Sequence, residues 1–351
     1  MSPPQGAAGS GEAGRRLAIL ALTLALGGAG GILAAWLGLP APWLAGSMAA
    51  VAVAALAGLP LDLPPALRNA AFVLIGISMG AGVTPETLAQ LRAWPLSLVL
   101  LALSVAGTLA LGTFWLERLH GWDPATARFA AIPGALSSVL VLVATSRADL
   151  PRVALAQSIR LFTLVALMPS VLMLLDGEPT LAPMAALTVS SPGHIAATLA
   201  ASAALAFLLE RLRVPGGVLL GAMIASAALH GAGLVAGRFP PEILILGFVA
   251  TGAVIGIRFR GTRLGALIAT LPGAVAAVLA ALLLSAGFAA LGAWLLGLPF
   301  GQLWLAFAPG GVEAMAVMAF ALHLDVAFVG AHHVVRLIGL NLTSPWWRRG
   351  S

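Results

Sequence analysis

The chain has 351 residues, 60% of them hydrophobic and 9% charged, with a mean hydropathy of +1.04, where soluble domains are about 45–50% apolar and about 25% charged. So few charged side chains cannot cover a 35.3 kDa globule with polar surface, which excludes a water-soluble globular protein. The formal charge of +6 rests on arginine with no lysine, and cysteine is absent, so disulfides, thiol nucleophiles and thiolate metal sites are excluded too.

In chain order, residues 1–16 are small and polar, end in Arg15-Arg16, and read as a disordered cytoplasmic tail. A helical crossing takes about 20 mainly apolar residues. Candidate blocks lie near 17–37, 40–59, 67–83, 94–116, 126–146 and 153–175, and again near 192–209, 215–236, 241–257, 264–296, 302–322 and 327–344. Between the sets, 176–191 carries Asp176, Glu178, Pro179 and Pro183 and reads as a linker between halves. The closing segment 345–351, with Trp346-Trp347-Arg348-Arg349, reads as an interfacial anchor and cytoplasmic tail.

The two sets superimpose with a period of 175 to 176 residues: Pro40, Gly46 and Met48 fall on Pro215, Gly221 and Met223. After a one-residue slip, Pro133, Gly134, Asp149, Arg160 and Leu161 fall on Pro309, Gly310, Asp325, Arg336 and Leu337. Asp and Arg are scarce here, so their recurrence at one register marks a duplication of 17–175 as 192–344. Because 17–37 has a counterpart in the second half, it belongs to the folded unit and is not a cleaved leader.

Arginine placement bears on topology. With six crossings per half, the loop arginines divide eight to eight between the sides; with five, counting 126–146 and 302–322 as non-spanning, they divide fourteen to two. The positive-inside rule therefore selects an all-α membrane protein of two inverted repeats, five crossings plus one re-entrant or broken Pro-Gly helix in each, over the twelve-crossing alternative. Both termini are then cytoplasmic, in a plasma membrane, and the acidic linker lies outside.

The stretch Ala308-Pro309-Gly310-Gly311, followed by Met315 and by Asp325-Val-Ala-Phe-Val-Gly-Ala-His-His-Val-Val-Arg336, resembles the membrane AbrB family, sometimes labelled ammonia monooxygenase. A first copy stands at Pro133-Gly134-Ala135, Asp149 and Ala156-Gln157-Ser158-Ile159-Arg160, departing from the pattern at Ala135 and Val139. The family is similar to the superfamily of bile-acid symporters and cation–proton antiporters. That resemblance implies inverted repeats with helices broken at mid-membrane, and the family's labels concern regulation of gene expression.

Few residues here can carry chemistry. Arg160 and Arg336 enter apolar blocks and stay protonated, so each is either a site residue or a cation snorkelling to the headgroups. His332 and His333 precede Arg336 by four and three residues and could help hold an anion or relay a proton, or simply bond backbone; their counterparts Ala156 and Gln157 cannot take up a proton. Pro133-Gly134 and Pro309-Gly310-Gly311 break or start helices, whose free N–H groups favour negative charge. Ser137 and Glu313 fall in the turns that follow, Glu313 as a helix-end acid, a partner for Arg336 or an ion carrier. Asp149 and Asp325 read as helix N-caps. Six histidines with a single adjacent pair offer no copper or di-iron ligand set, which argues against an ammonia-oxidising enzyme or any other.

These features point to a secondary transporter of a small, anionic solute, working by alternating access without a bound cofactor and with H+ or Na+ as the candidate coupling ion. The alternative is a membrane-embedded sensor that alters gene expression through a partner. Expected partners are the bilayer and the solute, with a homodimer or a regulatory chain as further candidates and no direct contact with nucleic acid.

Overall fold

The computed structural model describes residues 7–82, 94–134, 136–176, 190–214, 216–237 and 239–347, and every regular element among them is helical. The first repeat holds α1 (Ala7–Trp36), α2 (Pro42–Leu56), α3 (Pro65–Gly80), α4 (Trp94–Phe114, continued by a π turn at Trp115–Leu119), α5 (Pro124–Ala131), α6 (Leu136–Val143) and α7 (Leu150–Asp176). The second holds α8 (Pro192–Arg211), α9 (Gly217–Gly231), α10 (Pro241–Ile257), α11 (Leu264–Leu296), α12 (Phe300–Phe307), α13 (Val312–Ala321) and α14 (Val326–Trp347). Six of these are long and apolar enough to cross a bilayer, which makes the molecule an all-α polytopic membrane protein.

Two expected boundaries shift. Helix α1 begins at Ala7, inside the stretch expected to be a disordered tail, because the apolar helix propagates back through Glu12, Ala13 and the two arginines, with an exposed Arg16–Glu12 pair one turn apart at 3.0 Å. At the other end, α14 continues to Trp347, into the expected C-terminal tail.

Local chemistry sets most helix ends. Prolines stand at the starts of α2, α3, α5, α8 and α10, where a missing N–H is harmless. The Asp149 carboxylate accepts from Arg152 N, and the Asp325 carboxylate from Phe328 N, each at 3.0 Å, so both act as the N-caps their register suggests.

Glycine contacts expose the duplication. A Cβ on Gly76 or Gly80 of α3 would lie 2.5 Å from Leu219 O or 2.2 Å from Met223 O of α9; one on Gly252 or Gly256 of α10 would meet Leu44 O at 2.5 Å or Met48 O at 2.8 Å on α2. These four contacts are the same contacts one period apart, so α3 packs on α9 as α10 packs on α2, and both pairs run parallel. Helix α3 runs against α10: its entry at Leu61 accepts from Arg260 Nη1 at 2.7 Å, while Ile75 packs against Gly247, earlier in α10. Helix α2 is therefore antiparallel to its own counterpart α9, which makes the repeats inverted.

The pairs α5/α6 and α12/α13 are re-entrant hairpins. In the first repeat, Asp149 N, just before α7, donates to Thr126 Oγ1 at the start of α5 at 2.9 Å, so the chain leaves on the side from which it entered. In the second, Leu305 lies beside His333 and Ala308 beside Arg336. Helix α12 thus climbs parallel to α14, and α13 returns to a four-residue link that starts α14. Each repeat is therefore five helices and one hairpin, the arrangement expected of the inverted duplication.

Packing sorts the helices into two bundles. Helices α1–α3 and α8–α10 interleave through the glycine contacts above; α4, α7, α11 and α14 enclose the hairpins around a core of Met168, Phe307, Met315, Met318 and Phe328.

Candidate functional site

Both hairpin tips end on a buried guanidinium. In the first, Arg160 Nη1 donates to Ile132 O at 2.7 Å and Nη2 donates to Gln157 Oε1; Gln157 Nε2 in turn donates to Phe129 O at 3.0 Å and Ile132 O at 3.1 Å. In the second, Arg336 Nη1 donates to Ala308 O at 2.6 Å, and Nη2 donates to Gly310 O and His333 Nδ1, while His333 Nε2 donates to Leu305 O at 3.0 Å. Leu305 and Ala308 are the repeat equivalents of Phe129 and Ile132. Each arginine thus satisfies the orphan carbonyls that end α5 or α12, where the helix dipole favours a cation. The prolines terminate these first half-helices, and α13 starts two residues after Pro309 at the N-cap Gly311.

Carbonyl dipoles leave the arginine charges in place. Arg160 and Arg336 are 7% and 5% exposed, the Nε of each has no hydrogen-bond partner, and neither has a carboxylate within ion-pair distance among the described residues. Each repels the other, and Arg258 repels Arg160.

The tips and both arginines line one cavity of about 360 Å3 lying between the two bundles. The hairpin bundle contributes Gly134, Gln157, Arg160, Gly310, Gly311, Glu313, His333 and Arg336; the interleaved bundle contributes Arg68, Arg213, Thr251 and Arg258. Among the described lining residues, five guanidinium groups thus face a single carboxylate, Glu313, whose charge favours that of Arg258. Arg68 leans on Asn69 Oδ1, and the Asn69 amide reaches exposed Glu210 at 3.0 Å.

The structure brings together eight of the twelve residues singled out from sequence and places His332, Pro133 and Pro309 outside the cavity lining. His332 is fully buried away from the cavity: Nδ1 donates to Phe328 O at 2.7 Å, Nε2 accepts from Ser97 Oγ at 2.8 Å, and the ring packs on Trp94 and Phe328. Adjacent helical residues diverge by about 100°, so His332 faces α4 while His333 faces the hairpin. Pro133 and Pro309 are buried and are not among the lining residues. The side chain of Ser137, in the first turn of α6, lies outside the described residues, as does Ala135. Glu313 lines the cavity without forming an ion pair to Arg336.

Sequence reasoning missed Arg68, Arg213 and Arg258, which read as positive-inside loop charges. A signal was available: α3 and α10 have 16 and 17 residues, short of the roughly 20 a crossing needs, so an arginine at their ends lies deeper than one in an ordinary loop.

Inverted repeats, paired hairpins and a charged cavity between two bundles define a polytopic membrane protein built from two related halves. The chain belongs to the AbrB family: the family model described as "Transition state regulatory protein AbrB" matches residues 43–350. It is similar to "Putative regulator AbrB" of Escherichia coli (strain K12), 27% identical over 88% of this chain and 89% of that one. It is also similar to "Uncharacterized protein YhjN" of Bacillus subtilis (strain 168), 29% identical over 79% of this chain and 76% of that one.

Proposed function

We propose that the protein is a secondary transporter of a small anionic solute, which binds between the bundles at the hairpin tips. The observation that carries this reading is the cavity of five arginines and one carboxylate: so much uncompensated positive charge inside a membrane protein is costly unless an anion neutralises it. Inverted repeats supply the mechanics. The hairpin bundle moves against the interleaved bundle, and the cavity is exposed to one side and then to the other.

The rim arginines lie at helix ends that the positive-inside rule assigns to the cytoplasm, so this conformation is inward-facing in a plasma membrane. Glu313 is the carboxylate of the described lining, and H+ or Na+ is the coupling ion it would carry. No bond chemistry is required of the site.

The test is flux. Proteoliposomes loaded with a labelled small carboxylate should exchange it with external carboxylate, faster under an imposed pH gradient, and Arg336→Ala should abolish exchange. The name of the Escherichia coli relative favours a second reading, a sensor that binds the anion and signals to a partner. Anion binding by the purified protein with no flux in vesicles would select that second reading.

A further inference from the structure

We infer that the solute is a compact anion carrying two or more negative charges, bridged between guanidinium groups of both bundles; this rests on the anion reading above and specifies its valence. The interleaved bundle brings Arg68, Arg213 and Arg258 to the cavity and the hairpin bundle brings Arg160 and Arg336, against the one carboxylate of Glu313. That leaves four positive charges in excess among the lining groups.

None of the observed hydrogen bonds removes this excess. The two buried arginines give their Nη groups to neutral acceptors, keep an unpartnered Nε each, and repel one another. A monoanion would leave three positive charges facing each other across the gap between the bundles. A dianion or trianion with a charged group at each end offsets most of the repulsion and, by contacting both bundles, draws them together.

The remaining chemistry narrows the class. A cavity of about 360 Å3 holds a short-chain di- or tricarboxylate, or a tetrahedral oxyanion with water. The aromatic rings among the described lining residues are Phe72 and the His333 imidazole, and both ring nitrogens of His333 are engaged by Arg336 and Leu305, so the lining offers charge in preference to aromatic stacking. Charged groups at both ends of a short spacer match arginines placed on opposite walls, and guanidinium groups suit planar carboxylates.

Isothermal titration of the purified full-length protein at fixed ionic strength, set with chloride, tests this with succinate, sulfate and butyrate. Succinate should bind at least tenfold more tightly than butyrate. Sulfate close to succinate would show selection by charge alone, and sulfate well below it selection by the separation of the two ends; both support a multivalent solute. The preference for succinate over butyrate should shrink at least threefold in Arg258→Gln. Arg213→Gln, at an exposed position, should shrink it less and serves if the first variant does not fold. Butyrate binding as tightly as succinate would overturn the multivalent solute and leave the anion site standing. No heat from any of the three above the chloride background would overturn the anion site itself.

Discussion

The first hairpin braces its guanidinium with an amide, Gln157, and the second with an imidazole, His333. Both present one acceptor to the arginine and one donor to the carbonyl of the half-helix, Phe129 O or Leu305 O. The match fixes the state of the histidine: Nδ1 must accept and Nε2 must carry the proton, so His333 is the neutral tautomer that mimics a glutamine. The difference teaches that the brace requires a shape with one donor and one acceptor and does not require a titratable group. A proton relay through His333 would break the bond to Arg336, and His332 is walled off against α4. Among the described lining residues, Glu313 is the carboxylate, and it belongs to neither brace.

The largest effect expected is from the arginines themselves. Arg160→Ala or Arg336→Ala strands half-helix carbonyls in the interior and should cost about 3 kcal/mol of stability, read as thermal or denaturant unfolding in detergent, together with loss of anion binding. Equal losses would confirm that the tips are equivalent; loss at Arg336 alone would confine the site to the second repeat.

Next comes the brace. His333→Ala should cost about 2 kcal/mol, and His333→Gln should restore nearly all of it. Failure of the glutamine to rescue would show that the imidazole does something the first hairpin does without. Smaller still are the caps, where Asp149→Ala and Asp325→Ala should each cost about 1 kcal/mol in the same unfolding assay. Smallest in stability is Glu313→Gln, within roughly 0.5 kcal/mol as for an exposed or half-buried substitution outside a hydrogen-bonded network. This variant should bind anions more tightly, because it removes the internal anion with which the solute competes.

The sequence carried the duplication, the Pro-Gly breaks and the paired arginines because rare residues recurring at one register survive a biased composition. It also carried the inversion, through the sidedness of arginine. It did not carry the interleaving of α3 on α9 and α10 on α2, which depends on glycine contacts between segments roughly 145 or 200 residues apart. That interleaving brings Arg68, Arg213 and Arg258 to the hairpin tips, three of the five cavity arginines, which the positive-inside pattern alone reads as loop charges. The divergence of His332 from His333 was implicit in the helical period, and the shared flank suggested by their spacing to Arg336 obscured it.

The proposed anion site requires that the cavity between the bundles be open to water, and the natural absence of cysteine allows a clean probe of it. Val254→Cys, half-buried on the α10 wall of the cavity, should react with an impermeant maleimide in inside-out vesicles, and succinate should slow the reaction. Labelling only from the extracellular side, or at a rate unaffected by any anion, would contradict an anion-filled cavity.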